Sequence, residues 1–569
     1  MPESRIPRDA FRSEAGWATL DDDHANDDRP RAGLIRLANQ ERSTTGNVTE
    51  YDDTGPPQST APNRPPIAVA AIGTLIGIKL VLHVAANAFG PYEFHRDEFL
   101  YMAMGEHLRL FAMDFPPFIA ILSEMTRAVL GDSLFALRLP PAIVSSLLVL
   151  LAALTARELG GGRFAQALAG LSVLASPMFL RTGNLLQPVV IDQLWWTLAL
   201  FALIMRVSSG DRRWWLAFGA AAGMGLLSKF SMLLLGFAVF LAILVTARRR
   251  DLLTRWPWLA AVTAFVIGSP SFIGQIRLNW PLFDQLDDLR SGQLARVTPV
   301  EFLGDQPLMG LGFIVAMVGL VALAFARRWR PYRLVGWSCL LAFATLIALK
   351  GKSYYIGPVY PVLYGAGAVV LERFRAPRWG VVARWATVAV VVVYAAITLP
   401  LGLPILAPPT MERYVGWLGE ERATETNVGA QERLPQDYAD MVNWREQVEE
   451  VARVYHALSA EDRERAVLVA SNYGEAGAID FYGPRYGLPR ARAFVGTYWF
   501  FGPGDLPGDV IVFHGFRQDD LGDFCGSLTA AGYVTHPYAV AEQRDLTVYV
   551  CRGPQRTLQE LWPSYGGEN

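Results

Sequence analysis

Charge is scarce in this chain. Only 18% of its 569 residues are Asp, Glu, Lys or Arg, against about 25% in soluble domains. Three cysteines are too few for a disulfide scaffold and argue against a zinc ribbon or an iron–sulfur site. No Walker A loop, HExxH or CxxC motif is present. The net charge of −2 gives no global attraction to nucleic acid. No apolar segment near residue 1 suggests a secretory signal. What is present is apolar: hydrophobic residues make up 52%, and mean hydropathy is +0.23. That balance describes a chain largely within lipid.

Residues 1–65 are polar and end in a proline-rich stretch, and they read as a disordered cytoplasmic tail. The Asn47-Val48-Thr49 sequon is discounted in that position. A hydrocarbon core of about 30 Å needs about 20 helical residues. Eleven runs are candidates: 67–89, 139–156, 164–180, 189–205, 214–227, 230–247, 257–274, 308–326, 334–349, 354–371 and 383–406. The 214–247 pair is the weakest and could form one hairpin or a re-entrant element. Alternate connections carry Arg157/Arg163, Arg206/Arg212/Arg213, Arg248–Arg250, Arg327/Arg328/Arg330/Arg333 and Arg373/Arg375/Arg378. All of them share one side, which the positive-inside rule makes cytoplasmic. The expectation is a multi-pass plasma-membrane protein with a cytoplasmic N-terminus. It has a membrane domain over 66–408 and an extracytoplasmic α/β domain over 409–569.

In the C-terminal domain, 436–457 reads as an amphipathic helix with Met441, Trp444, Val448, Val451 and Tyr455 on one stripe. Ala466–Ala470, Asp509–His514 and Leu546–Cys551 read as buried strands. Cys525 and Cys551 would share an oxidising compartment, where they either pair or stay as buried thiols. Asn472-Tyr473-Gly474-Glu475 follows a strand, as either a binding site or a plain turn.

Polar residues gather at the outer edge. The first outer loop, 90–133, holds Glu93, His95, Arg96, Asp97, Glu98 and Asp114. Later outer segments add Arg181, Asn184, Gln187 and Asp192, then Lys229, then Arg277, then Lys350, Lys352, Tyr354 and Tyr355. Asp97 and Tyr101 are four apart and share a helix face. Pro116-Pro117 sets a fixed corner. Lys79 and His83 lie within the first run, as a proton relay or, preferably, a helix–helix hydrogen bond. His95, His107 and Asp97 are a weak metal alternative. Trp195-Trp196 and Trp214-Trp215 read as interface anchors.

Asp97-Glu98 with Tyr101 and Pro116-Pro117, then Gln187 and Asp192, then Lys352-Ser353-Tyr354-Tyr355 with Pro358 and Pro361, occur in this order at matching membrane sides. This set resembles the GT-C glycosyltransferases of the protein O-mannosyltransferase and aminoarabinose-transferase type, across roughly 67–400. Lys229, and Pro270 with Gln275 and Trp280, are similar to that family too. One departure is Asp114-Phe115, where aminoarabinose transferases carry Glu-Lys, and it speaks against aminoarabinose as the sugar.

The resemblance implies transfer of a sugar from a polyprenyl-phosphate donor to a protein, glycolipid or polysaccharide acceptor at the outer face. It makes Asp97 the general base, with Glu98 beside it. Lys352, Arg277, Lys229, Tyr354 and Tyr355 would bind the donor phosphate. Tyr101, Asp114, Gln187 and Asp192 would contact substrate. No cofactor is required; a divalent metal is compatible but unnecessary. For individual residues the plainer alternatives are a solvated loop for Asp97, pairing with Arg96 or Arg138 for Glu98, helix capping for Asp192, and snorkelling for Lys352. Against the whole reading stand a secondary transporter, which would place charges near the bilayer midplane, and a non-catalytic scaffold.

Overall fold

The computed structural model describes residues 64–374, 379–419, 421–426, 429–522 and 524–565. The readings of the tail up to residue 63, and of Arg375 and Arg378, lie outside these residues.

All eleven apolar runs are helical. Seven helices are long and apolar enough to cross a membrane: Val69–Phe89, Leu134–Glu158, Pro188–Ser209, Arg255–Arg277, Arg327–Ala348, Ser353–Arg373 and Trp379–Gly402. An eighth span arises if Met232–Val245 and Ala247–Leu253 count together across a 108° bend. Arg163–Leu174, Trp214–Ser228 and Phe313–Phe325 are shorter apolar helices, so the expected eleven full spans are reduced. Local chemistry accounts for the shortening. The 164–180 run breaks because Pro177 cannot continue a helix, and Ser176 caps a new one by accepting from the Phe179 amide. The helix from Phe313 starts only after Gly310, whose φ is +85°.

Close helix packing relies on small residues. At Gly367 a Cβ would lie 1.8 Å from the Val315 carbonyl oxygen, so Phe313–Phe325 and Tyr360–Arg373 approach backbone to backbone. Trp196 and Trp215 are buried at 1% and 2% exposure, inside the main core and not at an interface. Successive helical residues lie about 100° apart, so only one member of each Trp pair can face outward. Lys79 Nζ donates to the Phe179 carbonyl at 3.2 Å, the helix–helix bond preferred from sequence.

The basic connections meet at one end of the bundle. Arg64 pairs with Glu158, Glu372 accepts from the Gly162 and Ala165 amides, Arg373 donates to Gly160, and Arg206 pairs with Asp251. At the other end lies loop 90–133, built from helix Arg96–Glu106, the proline corner and helix Phe118–Leu130.

The C-terminal domain contains β1 (Ala466–Ala470), β2 (Ala491–Arg492), β3 (Val510–His514), β4 (Cys525–Thr535) and β5 (Asp545–Pro554). Their order is β2-β1-β3-β5-β4, parallel through β2, β1 and β3 and antiparallel beyond. Cys525 and Cys551 form a disulfide between β4 and β5. The expected helix over 436–457 is interrupted. Asn443 has φ +72°, and the helix proper is Trp444–Ala457, preceded by the short Gln436–Ala439. The strands alternate as a two-sided sheet requires. Leu468 and Ala470 share a core with Trp444, Val448, Phe94, Phe99 and Met104, whereas Val467 and Val469 pack with Phe494, Phe513 and Trp562. One continuous apolar core therefore ties loop 90–133 to the C-terminal sheet.

Candidate active site

Helix Arg96–Glu106 aims the site. His95 caps it by accepting from the Asp97 amide at 3.2 Å, and Glu98 closes the box by accepting from the His95 amide at 2.8 Å. Glu98 then turns inward. It is fully buried, receives Arg138 Nη2 at 2.6 Å and Nε at 3.0 Å, and accepts from the Leu186 amide at 2.9 Å. Of its two expected alternatives, Arg138 is the partner. Arg96 lies instead near Asp440 and Glu542, both at 3.6 Å, with its guanidinium 5.0 Å from the Tyr473 ring centroid.

Asp97 turns the other way. Its Oδ2 accepts from Gln187 Nε2 at 3.0 Å, and its Oδ1 accepts from the Tyr473 hydroxyl at 2.9 Å. Tyr101 is buried on the same helix face, and the charge of Asp97 acts on its phenol. Burial, then Asp97, pushes the Tyr101 hydroxyl well above the usual tyrosine range, so it stays protonated.

A second group lies beside the first. Lys229 Nζ sits 4.7 Å from the Tyr355 ring centroid and 6.0 Å from that of Tyr354. Asp192 accepts from Ser231 Oγ through both oxygens at 2.8 Å. Lys352 Nζ donates to Gln293 Oε1. Burial pulls the Lys352 ammonium down to about 8, with Asp437 opposing and Lys229 assisting. Asp437 joins the two groups: it is salt-bridged to Arg181, and its Oδ1 is 4.0 Å from His95 Nε2. Burial would raise the Asp437 carboxyl, but Arg181, His95 and Lys352 together hold it below the usual range.

Two expected residues lie apart. Asp114 Oδ2 accepts from Thr497 at 2.6 Å, and its main-chain oxygen accepts from Gln275. Burial raises the Asp114 carboxyl to about 6, against the Thr497 hydrogen bond. Arg277 is exposed and donates to the Phe111 carbonyl at 3.4 Å. The metal alternative is separated: His95 and His107 cap opposite ends of one 11-residue helix, and His107 stacks on Phe501. Among the described residues no group of three His, Cys, Asp or Glu is arranged to hold a metal ion.

Asp437, in the short helix Gln436–Ala439, and Asp440, just after it, carry no motif that marks them in the sequence. Tyr473 stands out in the sequence only as part of a strand-end turn. The Asn472 side chain caps that turn by accepting from the Gly474 and Glu475 amides at 2.9 and 3.0 Å, and this presents Tyr473 to Asp97.

Residues 114–273 match the dolichyl-phosphate-mannose-protein mannosyltransferase family, a stretch that includes Gln187, Asp192 and Lys229 but not Asp97 or Lys352. No curated protein sequence matches the chain. Among solved structures the chain is similar to ArnT from Cupriavidus metallidurans bound to undecaprenyl phosphate, with TM-score 0.56 and 17% identity over 84% of this chain and 98% of that one. The apo state of the same protein gives TM-score 0.55 and 18% identity with the same coverage. The Archaeoglobus fulgidus oligosaccharyltransferase in its apo form reaches TM-score 0.46 at 14% identity, over 76% of this chain and 66% of that one. The chain is thus a polytopic membrane protein of the GT-C glycosyltransferase fold, carrying the dolichyl-phosphate-mannose-protein mannosyltransferase pattern over residues 114–273.

Proposed function

We propose that the protein transfers a sugar from a polyprenyl-phosphate donor to an acceptor hydroxyl at the extracytoplasmic face of the plasma membrane. The observation that carries this is an oriented carboxylate, Asp97, 3.8 Å from one nitrogen of His95, whose other nitrogen lies 4.0 Å from Asp437, the partner of Arg181 and neighbour of Lys352, at the end of the bundle opposite the basic connections. Asp97 takes the acceptor proton as its oxygen attacks the anomeric carbon. The bond from that carbon to the phosphate oxygen breaks, and the prenyl phosphate leaves carrying the electron pair. Attack opposite the leaving group inverts the anomeric centre. Lys352, Lys229 and Arg181 stabilise the charge that develops on the phosphate, and Tyr354 and Tyr355 frame it. Glu98, enclosed by Arg138, holds helix Arg96–Glu106 in place and does not act on substrate. Asp192 and Gln187 position Lys229 and Asp97.

The Cys525–Cys551 disulfide supports an oxidising compartment for the C-terminal domain. Undecaprenyl phosphate bound to ArnT supports a lipid-phosphate donor. The acceptor is a protein, glycolipid or polysaccharide. The test supplies purified protein with polyprenyl-phosphate sugars and membrane extract, and follows donor consumption in wild type and Asp97→Asn. Consumption by wild type alone is expected. If no prenyl-phosphate sugar binds, the reading fails and transport in liposomes becomes the assay.

A further inference from the structure

The C-terminal domain sets the Asp437 carboxylate among the cations of the site. The carboxylate is salt-bridged to Arg181 and faces His95 Nε2 at 4.0 Å, and Lys352 lies close enough for the two charges to act on each other. Lys352 in turn feels Lys229. The Asp437 carboxylate thus stands where neighbouring cations favour an anionic group. We propose that Asp437 is a resident surrogate for the donor phosphate, which a prenyl phosphate must displace from the Arg181–Lys352–Lys229 cluster in order to bind. This rests on the reading that the cluster receives the donor's phosphate.

The physical argument is competition. Two anions sharing one set of cations repel each other, and one must be neutralised or leave. The segment around Asp437 is fixed. Tyr438 is buried and donates to the Pro400 carbonyl at 2.8 Å, the Met441 carbonyl accepts from the Glu93 amide at 2.8 Å, and the Asp440 carbonyl accepts from the Arg96 amide at 3.3 Å. The backbone therefore stays, and displacement is a rotamer change of one side chain. That side chain is 28% exposed, and Arg181 is 33% exposed, so a path to solvent exists. A merely structural salt bridge makes the opposite forecast, because its loss would leave Arg181 disordered and weaken binding. An internal competitor lowers apparent affinity by the fraction of time it occupies the site, so its removal tightens binding.

The experiment measures binding of undecaprenyl phosphate to the full-length chain in detergent by calorimetry, for wild type, Asp437→Asn, Asp437→Ser, Asp437→Glu and Lys352→Ala. The Asn and Ser variants are expected to lower Kd about tenfold, Asp437→Glu to bind like wild type, and Lys352→Ala to bind more weakly. An unchanged or raised Kd in both neutral variants, with Lys352→Ala still weakened, overturns the surrogate role and leaves the functional reading standing. No binding by wild type overturns both. Loss of folding in both neutral variants also overturns the surrogate role, since a displaceable side chain cannot be essential to the fold.

Discussion

The Tyr473 hydroxyl donates to Asp97 Oδ1 at 2.9 Å, although 376 residues separate the two. The bond joins the C-terminal domain to the proposed general base, and Gln187 holds the other carboxylate oxygen. A base held from two sides cannot rotate away from its substrate. We expect Asp97→Asn to lower transfer by about 10²–10⁴ while donor binding persists. Tyr473→Phe removes one bond to a charged group and should lower kcat by roughly tenfold with little change in donor Kd. Steady-state kinetics with separate donor titrations checks both. A Tyr473→Phe enzyme with unaltered kcat would sink the holding role.

Gly477 brings the two regions into contact. A Cβ there would lie 2.6 Å from Phe99 Cβ and 3.1 Å from its carbonyl carbon. Gly477→Val should push helix Tyr473–Tyr482 away from helix Arg96–Glu106 and break the Tyr473–Asp97 bond. Transfer should fall at least as far as in Tyr473→Phe, and limited proteolysis should cut the C-terminal domain faster.

The Glu98–Arg138 pair is buried at 0% and 1% side-chain exposure. Removing one partner of such a pair leaves an uncompensated charge and costs roughly 3–5 kcal/mol. Arg138→Leu should therefore lower the unfolding midpoint in detergent far more than Arg277→Leu, an exposed control. Equal midpoints would show that the pair contributes nothing net.

Burial raises the Glu475 carboxyl to about 7, against hydrogen bonds from Ser471 and Asn472. The folded chain then holds this proton more tightly than the unfolded chain, whose carboxyl sits at 4.5. Stability from this group is full below about pH 4.5 and is lost as pH rises through about 7. Asp114, Asp440 and Asp480, each raised to about 6, act in the same direction. Unfolding midpoints measured between pH 5 and 8 should decline more steeply in wild type than in Glu475→Gln. Parallel curves would count against a buried protonated Glu475.

Cys525 and Cys551 close a loop with a sequence separation of 26. Cross-links over loops of this length stabilise by roughly 3 kcal/mol. Reductant, or the double change to Ser, should lower the unfolding midpoint of the C-terminal domain, and reductant should have no effect on the double variant.

The membrane architecture was legible because each apolar run states its own environment. Hydrocarbon demands uninterrupted apolar helices, and the arginines sort the connections to one end without any knowledge of packing. The pair Asp97–Tyr101 was legible for a similar reason, since helical spacing is local. Span lengths were less so, because proline and glycine breaks such as Pro177 and Gly310 cut apolar runs that hydropathy reads as continuous. Glu98 and Asp97 are adjacent in sequence and both acidic; only the fold separates them, by turning one toward Arg138 and the other toward Gln187 and Tyr473. Asp437 sits in a short polar helix with no pattern to mark it, and its meaning comes entirely from Arg181, His95 and Lys352, which reach it from three distant parts of the chain. Residue order shows which segments suit lipid and which carry charge to each end. The tertiary structure alone decided which charges meet, because electrostatic interaction depends on distance in space and not on separation along the chain.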